Sequence, residues 1–163
     1  MRIREVVIAA ACVAIGTLAA SLAADAPATP RSIVLNEVEL NPNSYDRDAE
    51  WVEILNVGAE AVDLAGWTLG YNYPSDGAAL IAAESSILRP GQRLVYRYEA
   101  LRLRNDANTV IQLRDAAGTL VDETSALRDV YDDGKTWQRI PDGGDPLLPI
   151  WLLRDGTKNA PNK

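Results

Sequence analysis

Short runs of alternating apolar and polar residues, which continue from Ile33 to Ile140, constrain the fold more than any other feature of this chain. Period two is the repeat of a half-buried β-strand, whose successive side chains point to opposite faces. Turn-forming residues end these runs, as Pro90-Gly91 does before the run that begins at Arg93. After the first two dozen residues, no long stretch follows the 3.6-residue period of a helix. The pattern predicts an all-β domain, a β-sandwich of about seven strands.

The predicted strands can be placed from the alternation and the turns between the runs. They lie at 33–40, 51–57, 66–73, 93–99, 108–114, 119–123 and 136–140, and the tail that follows is expected to be a loop. In the first strand we expect Val34 and Val38 on one face and Glu37 and Glu39 on the other. The segment 115–118 predicts a hairpin with a four-residue loop that a glycine closes.

The first 23 residues have the composition of a secretory signal peptide. Arg2 and Arg4 give a positive start, residues 6–24 carry no charge, and Ser21-Leu22-Ala23 offers a cleavage pattern of the small-x-small kind. We interpret residues 24–31 as a flexible linker and 32–163 as one folded domain. The alternative is an uncleaved N-terminal anchor, because an uncharged run of this length approaches a bilayer span. We therefore expect a secreted or extracytoplasmic protein, with membrane contact only if this segment stays attached.

The composition removes most catalytic chemistry from the chain. There is no histidine, and the only cysteine, Cys12, lies in the segment predicted to be cleaved. Serine–histidine and cysteine–histidine catalysis are therefore excluded, as are zinc sites built from these ligands. We expect no enzyme and no cofactor. The net charge of −7 opposes phosphate backbones, so nucleic acid is not an expected partner.

A loop before the second predicted strand concentrates acidic side chains. Asp46, Asp48 and Glu50 stand at alternate positions, and oxygen ligands of this kind suit calcium. Arg47, however, places a positive charge among them. An acidic connecting loop whose carboxylates cap turns is the simpler interpretation, and a calcium site remains the alternative.

Four residues are candidates for a binding surface. Trp51 shares a strand face with Glu53 and is the tryptophan best placed to stay exposed, as a platform for sugar rings. Arg93 and Arg97 point the same way on a later strand. We expect them to pair with acidic residues of neighbouring strands, and a basic ribbon for single-stranded nucleic acid is the alternative.

Three glutamates, Glu37, Glu39 and Glu53, are expected on one face of paired strands. Two carboxylates could act as acid and base in glycoside cleavage. Nothing in the sequence supplies the cleft that such chemistry needs. We therefore expect a solvated sheet face at these positions.

Several segments, in order, resemble the lamin tail domain family, in the form of a secreted, stand-alone member. They are Ile-Val-Leu-Asn-Glu-Val at 33–38, Glu-Trp-Val-Glu-Ile-Leu-Asn at 50–56, Val-Asp-Leu-Ala-Gly-Trp-Thr-Leu at 62–69, Leu-Arg-Pro-Gly-Gln at 88–92, Leu-Arg-Asp-Ala-Ala-Gly-Thr-Leu-Val-Asp at 113–122, Trp-Gln-Arg-Ile-Pro-Asp-Gly at 137–143 and Asn-Ala-Pro-Asn at 159–162. The resemblance implies an immunoglobulin-like β-sandwich that is not itself an enzyme. The rod and import signal of nuclear lamins have no counterpart in the sequence, so their nuclear functions are not carried over.

These observations lead us to interpret the chain as a non-catalytic module that binds a protein or a cell-envelope component. Such a module should expose an apolar or edge-strand patch. One alternative is a small carboxylate-based or calcium-dependent hydrolase or accessory domain, and another is a polysaccharide binder that uses Trp51. The hydrolase would need at least three of five carboxylates to converge in a cleft. These five are Asp46, Asp48, Glu50, Glu37 and Glu53.

Overall fold

The computed structural model describes residues 32–43, 49–72, 78–98, 103–145 and 147–163. The predicted signal peptide and linker, together with Asp46 and Asp48, lie outside these described residues. All regular secondary structure within them is β. None of the described residues belongs to a helix long and apolar enough to cross a membrane.

Eleven antiparallel strands form three sheets within the described residues. Their bounds are β1 Ile33–Glu39, β2 Trp51–Asn56, β3 Val62–Asp63, β4 Thr68–Tyr71, β5 Ala78–Leu80, β6 Ile87–Leu88, β7 Arg93–Arg97, β8 Ile111–Arg114, β9 Leu120–Glu123, β10 Lys135–Ile140 and β11 Ile150–Asp155. A five-stranded sheet has the order β11-β10-β1-β2-β7, a four-stranded sheet the order β5-β4-β8-β9, and β3 pairs with β6. The all-β prediction is confirmed. Each of the seven predicted strands has a counterpart, and β3, β5, β6 and β11 were not predicted.

One hydrophobic core lies between the five-stranded and the four-stranded sheet. The larger sheet contributes Leu35, Val52 and Ile54, and the smaller sheet contributes Leu69 and Leu113, all of them fully buried. Complete burial of one such side chain contributes roughly 1.5–3 kcal/mol relative to leaving it exposed. The alternation of the sequence is therefore the alternation of core-facing and outward-facing side chains in two packed sheets.

Tryptophan and tyrosine take the places that phenylalanine would fill in this phenylalanine-free chain. Tyr98 is buried in the core, and its ring meets that of Tyr96 edge-on, with 5.2 Å between the centroids. Trp67 and Trp137 pack against the core cluster, and Trp151 belongs to it. Both tyrosines thus face the core, and these three tryptophans pack within it or against it.

A bulge in β1 changes which of its side chains enter the core. The register against β2 shifts between Leu35 and Glu37. Since a bulge adds one residue, the side chains after it move to the opposite face. Leu35 therefore enters the core before the bulge and Val38 after it, whereas Val34 is buried outside the core cluster. The prediction that Val34 and Val38 share a face was wrong, because strict period-two alternation does not take account of a bulge between the two residues.

The hairpin between β8 and β9 has the predicted loop. Gly118 donates its N–H to the carbonyl of Asp115 at 2.9 Å and has a φ of 81°, a conformation that glycine adopts without strain. The side chain of Asp115 also accepts hydrogen bonds from the N–H groups of Ala117 and Thr119. Loop length and residue types were sufficient to predict this hairpin, because all of these hydrogen bonds join residues of the loop itself.

The tail after Ile140 is not the loop that the sequence predicted. β11 pairs with β10 over six positions, from Lys135 opposite Asp155 to Ile140 opposite Ile150. A continuous apolar run at residues 150–153 hid this strand, since it lacks a period of two. After Asp155 the chain crosses onto the face of the five-stranded sheet that is turned away from the core, which we call the outer face.

Candidate binding surfaces

Residues 156–163, called the strap below, lie across the outer face. The Thr157 N–H donates to Glu37 Oε1 at 2.7 Å, and the Thr157 hydroxyl donates to Glu37 Oε2 at 3.0 Å. The Asn159 N–H donates to Glu53 Oε2 at 2.7 Å. Glu37 and Glu53 stand directly opposite each other on β1 and β2, and both are fully buried. The strap is thus held by two carboxylates that it covers.

The end of the strap returns towards β10. Asn162 Nδ2 donates to the carbonyls of Asn36, at 2.8 Å, and of Arg139, at 3.0 Å. Its N–H donates to Asp142 Oδ1 at 3.0 Å. Asn159, with a φ of 60°, makes the reversal between the two halves of the strap. The side chain of Asn162 therefore bridges β1 and β10, next to the bulge.

Groups outside the strap also hold the two carboxylates. Thr136 donates its hydroxyl to Glu37 Oε1 at 2.5 Å, and Asn36 Nδ2 donates to Glu53 Oε1 at 2.9 Å. Burial raises the pKa of Glu53, and the hydrogen bonds from Asn36 and Asn159 act against this rise. The prediction of a solvated sheet face was wrong, because a distant segment covers the face.

Trp51 is covered as well, with 6 % of its surface exposed. Lys158 of the strap places its Nζ 4.6 Å from the centroid of the Trp51 ring, within the range of a cation–π contact. Burial lowers the pKa of Lys158, and the charge of Arg97 lowers it further. The prediction that Trp51 is exposed was wrong for the same reason as the glutamate prediction.

The two arginine candidates differ in their surroundings. Arg93 Nε lies 3.2 Å from Glu53 Oε1, and Arg93 Nη2 lies 2.5 Å from Asp142 Oδ2. The predicted pairing with acidic residues of neighbouring strands is confirmed for Arg93. Arg97 is exposed, opposite Trp51 in the register of β2 and β7. The same face thus carries all four candidates, and the strap or an ion pair occupies three of them, Trp51, Glu53 and Arg93.

Glu39 is the third glutamate of this face and lies opposite Trp51. It is buried, and burial raises its pKa to about 7. A hydrogen bond from the Asn41 N–H acts against this rise, and the charges of Asp129 and Glu37 add to it. Glu39 therefore changes its charge in the neutral pH range.

Glu50, the one calcium candidate within the described residues, has a structural partner. Its side chain is fully buried, and Oε2 accepts the Leu103 N–H at 2.6 Å. Among the described residues, no group of three or more His, Cys, Asp and Glu is placed to hold a metal ion. Since Asp46 and Asp48 lie outside that part of the chain, the acidic connecting loop stays the prediction and calcium its alternative.

Sequence reasoning missed a buried ion pair between the sheets. Arg139 Nη2 on β10 lies 2.5 Å from Asp122 Oδ2 on β9, and both side chains are fully buried. The same Asp122 oxygen accepts the Leu35 N–H at 2.8 Å, and Arg139 Nε donates to the Leu35 carbonyl at 2.6 Å. The pair therefore fixes the backbone at the bulge. The sequence contained one indication of this pair. Arg139 lies two residues after Trp137, so both side chains point to the same face of β10, and Trp137 packs against the core.

A second surface lies at the edge of the five-stranded sheet. β11 pairs with β10 on one side and is the last strand of the order. Four apolar side chains on or just before β11 are exposed, and we call them the β11 edge. They are Leu147 (69 % exposed), Leu148 (78 %), Ile150 (56 %) and Leu152 (37 %). An edge strand also directs unpaired N–H and C=O groups outwards.

A family model for the Lamin Tail Domain matches residues 26–128. The chain belongs to the lamin tail domain family. The resemblance seen in the sequence is confirmed, and the family is one of immunoglobulin-like domains that are not enzymes. The match ends before β10, although β10 and β11 complete the five-stranded sheet of this lamin tail domain. No curated protein sequence matches the chain significantly.

Proposed function

We propose that this lamin tail domain is a non-catalytic interaction module that works outside the cytoplasm, where it binds an extended apolar segment of a partner protein along the β11 edge. The observation that carries the proposal is the exposure of Leu147, Leu148, Ile150 and Leu152 on and beside an edge strand. Exposed apolar patches at such places mark interaction sites in soluble proteins.

The chemistry of the β11 edge suits an added strand. In β-augmentation, backbone hydrogen bonds to an edge strand give affinity, and contacts with alternate side chains give specificity. Ile150 and Leu152 would supply those contacts. Natural edge strands are commonly protected by charges or prolines, but β11 carries its charges, Arg154 and Asp155, only at its far end.

The net charge of −7 adds a second criterion for the partner. A segment with basic flanks would be steered towards the acidic domain, whereas an acidic segment would be repelled. The expected ligand is therefore an extended segment with alternating apolar residues and flanking Lys or Arg. The same charge argues against nucleic acid as the partner.

Two observations favour a binding role over the hydrolase alternative. Glu37 and Glu53 meet, but they are fully buried and hydrogen-bonded beneath the strap. Glu50 is fully buried as well, and its Oε2 accepts the Leu103 N–H. An acid–base pair needs access to substrate and water. Glu37, Glu50 and Glu53 therefore serve the fold in this proposal.

Peptide selection followed by mapping tests the β11 edge. Random nine-residue peptides are selected on the domain, and NMR amide shifts locate the bound peptide. We expect the selected peptides to carry alternating apolar residues and to shift the amide signals of β11. Leu152→Lys should weaken their binding at least ~10-fold, which corresponds to about 1.4 kcal/mol. Leu80→Lys is the matched control, since Leu80 is 48 % exposed on the edge strand β5 of the other sheet. Shifts confined to another surface, or equal losses in both variants, would refute the proposal.

The location outside the cytoplasm rests on residues 1–23 and has its own test. Mass measurement of the protein recovered from its native host should show a chain that begins at Ala24, found outside the cytoplasm. Intact protein in the membrane fraction would replace cleavage by the anchor alternative. Intact protein in the cytosolic fraction would refute export.

A further inference from the structure

We propose that the outer face beneath the strap is a peptide-binding site, which the strap fills as an intramolecular ligand and which accepts a separate peptide of the same sequence. This site is distinct from the β11 edge and is assigned by the contacts of the strap alone. The groups that recognise the strap are Glu37, Glu53, Trp51, Asp142 and the backbone carbonyls of Asn36 and Arg139.

The recognition is of the kind a peptide ligand makes. Glu37 accepts the backbone N–H and the hydroxyl of Thr157, and Glu53 accepts the backbone N–H of Asn159. Hydrogen bonds to a charged acceptor are about twice as strong as those between neutral groups. A ligand that lacks these N–H and O–H donors would leave the buried carboxylates of Glu37 and Glu53 without these hydrogen bonds, and this would reduce its binding free energy. The site therefore demands a peptide backbone at two alternate positions.

The receptor groups are held in place by residues outside the strap. Thr136 fixes Glu37, and Asn36 and Arg93 fix Glu53. Asp142 accepts from both Asn36 and Arg93, at 2.9 and 2.5 Å. Since these contacts do not involve the strap, the arrangement can persist when the strap leaves. A preorganised site spends less free energy on ordering its groups when a ligand binds.

Side-chain contacts define the sequence of the ligand. A cation at the position of Lys158 lies over the Trp51 ring, and the amide of Asn162 donates to two carbonyls. The φ of 60° at Asn159 favours Asn or Gly there, because other side chains are strained in this region. The expected ligand is a peptide with six positions in this order: Thr, a cationic residue, Asn or Gly, two residues of any type, and Asn.

The strap buries little apolar surface that would keep it in place. Asn159, Ala160, Pro161 and Lys163 are exposed. Segments with few buried apolar contacts open locally at a lower free energy than the core. Opening would uncover Trp51, together with Glu37 and Glu53. The strap thus controls access to the outer face, for which the sequence predicted a binding role.

A tethered ligand competes with a free one, so the experiment weakens the strap within the full chain. Thr157→Ala/Asn162→Ala removes the Thr157 hydroxyl and the Asn162 amide, and Ala160→Ser, at an exposed strap position, is the control. An acetylated, labelled peptide of residues 156–163 is titrated against each chain. We expect the double variant to bind it at least ~10-fold more tightly than the wild type or the control, because the intact strap acts at a high effective concentration.

The peptide controls are a scrambled sequence and a peptide with Lys158→Ala. Both should bind the double variant more weakly than the strap peptide. If the double variant keeps the wild-type circular dichroism spectrum and binds the strap peptide no better than the scrambled one, the proposal is overturned.

Hydrogen exchange on the wild-type chain decides the question if the double variant does not fold. The amides of Thr157 and Asn159 should exchange through a local opening, faster than that of Gln138 in β10. If these strap amides exchange only with the unfolding of β10, the strap is an inseparable part of the fold and the proposal fails.

Discussion

Arg139 on β10 and Asp122 on β9 form a fully buried ion pair, with 2.5 Å between Arg139 Nη2 and Asp122 Oδ2, and it joins the two main sheets of the sandwich. Both residues also bind the backbone of Leu35, so the bulge in β1 depends on them. The guanidinium carbon lies 5.1 Å from the centroid of the Trp151 ring, which fixes β11 to the same point. One pair of side chains thus connects β1, β9, β10 and β11.

Breaking this pair on one side should destabilise the protein severely. Asp122→Asn leaves Arg139 buried without its counter-charge, and such changes typically cost about 3–5 kcal/mol. Urea unfolding followed by tryptophan fluorescence measures the loss. The control is Asp133→Asn, which breaks the exposed pair with Lys135 and should leave the unfolding midpoint unchanged. Equal midpoints for the wild type and Asp122→Asn would contradict the assigned role of the pair.

Glu39 should make the protein less stable as the pH rises. Burial raises its pKa from 4.5 to about 7 in the folded state, so the folded protein binds the Glu39 proton more tightly than the unfolded chain. Stability from this group is present below the unfolded pKa and is lost between about pH 4.5 and 7. Glu39→Gln removes the loss, which is roughly 3 kcal/mol for a pKa shift of this size. Unfolding midpoints should therefore agree at low pH and favour the variant at pH 8, and parallel pH profiles would contradict this.

Asn162 should hold the strap in its closed position. Asn162→Ala removes the donors to the carbonyls of Asn36 and Arg139, which costs about 1–3 kcal/mol if the carbonyls stay buried. Faster hydrogen exchange at Thr157 and Asn159 is the expected readout, with the core strands unchanged. Ala160→Ser, at an exposed position of the strap, should leave these rates as they are. Unchanged exchange in Asn162→Ala would show that other contacts close the strap.

Glu50 should stabilise the fold independently of calcium. Its carboxylate accepts the Leu103 N–H at 2.6 Å, and Glu50→Ala should cost about 1–3 kcal/mol through the loss of this buried acceptor. Thermal melts with calcium and with chelator should coincide for both the wild type and the variant. A melting temperature that rises with calcium in the wild type alone would instead establish the calcium site, because a ligand that binds only the folded state stabilises it.

Except at the bulge in β1, patterns that depend on near neighbours were read correctly from the sequence. The alternation identified seven of the strands, and the segment from Asp115 to Gly118 predicted its own hairpin. The pairing of Arg93 with an acidic residue of the neighbouring strand also followed from the strand faces. These features were accessible because period, turn chemistry and parity act within a few residues.

Contacts between distant segments decided the candidate surfaces. Trp51 and Glu53 alternate as an outward face should, yet a strap more than a hundred residues later covers them. The continuous apolar run of β11 has no period that reveals its edge position, and only the order of the sheet leaves it exposed. The sequence by itself determined the family and seven of the eleven described strands, because alternation records which side of a strand faces the core. Only the tertiary structure decided that the outer face of the five-stranded sheet is covered. The strap that covers it is distant in the sequence, and its packing on the sheet leaves no local pattern.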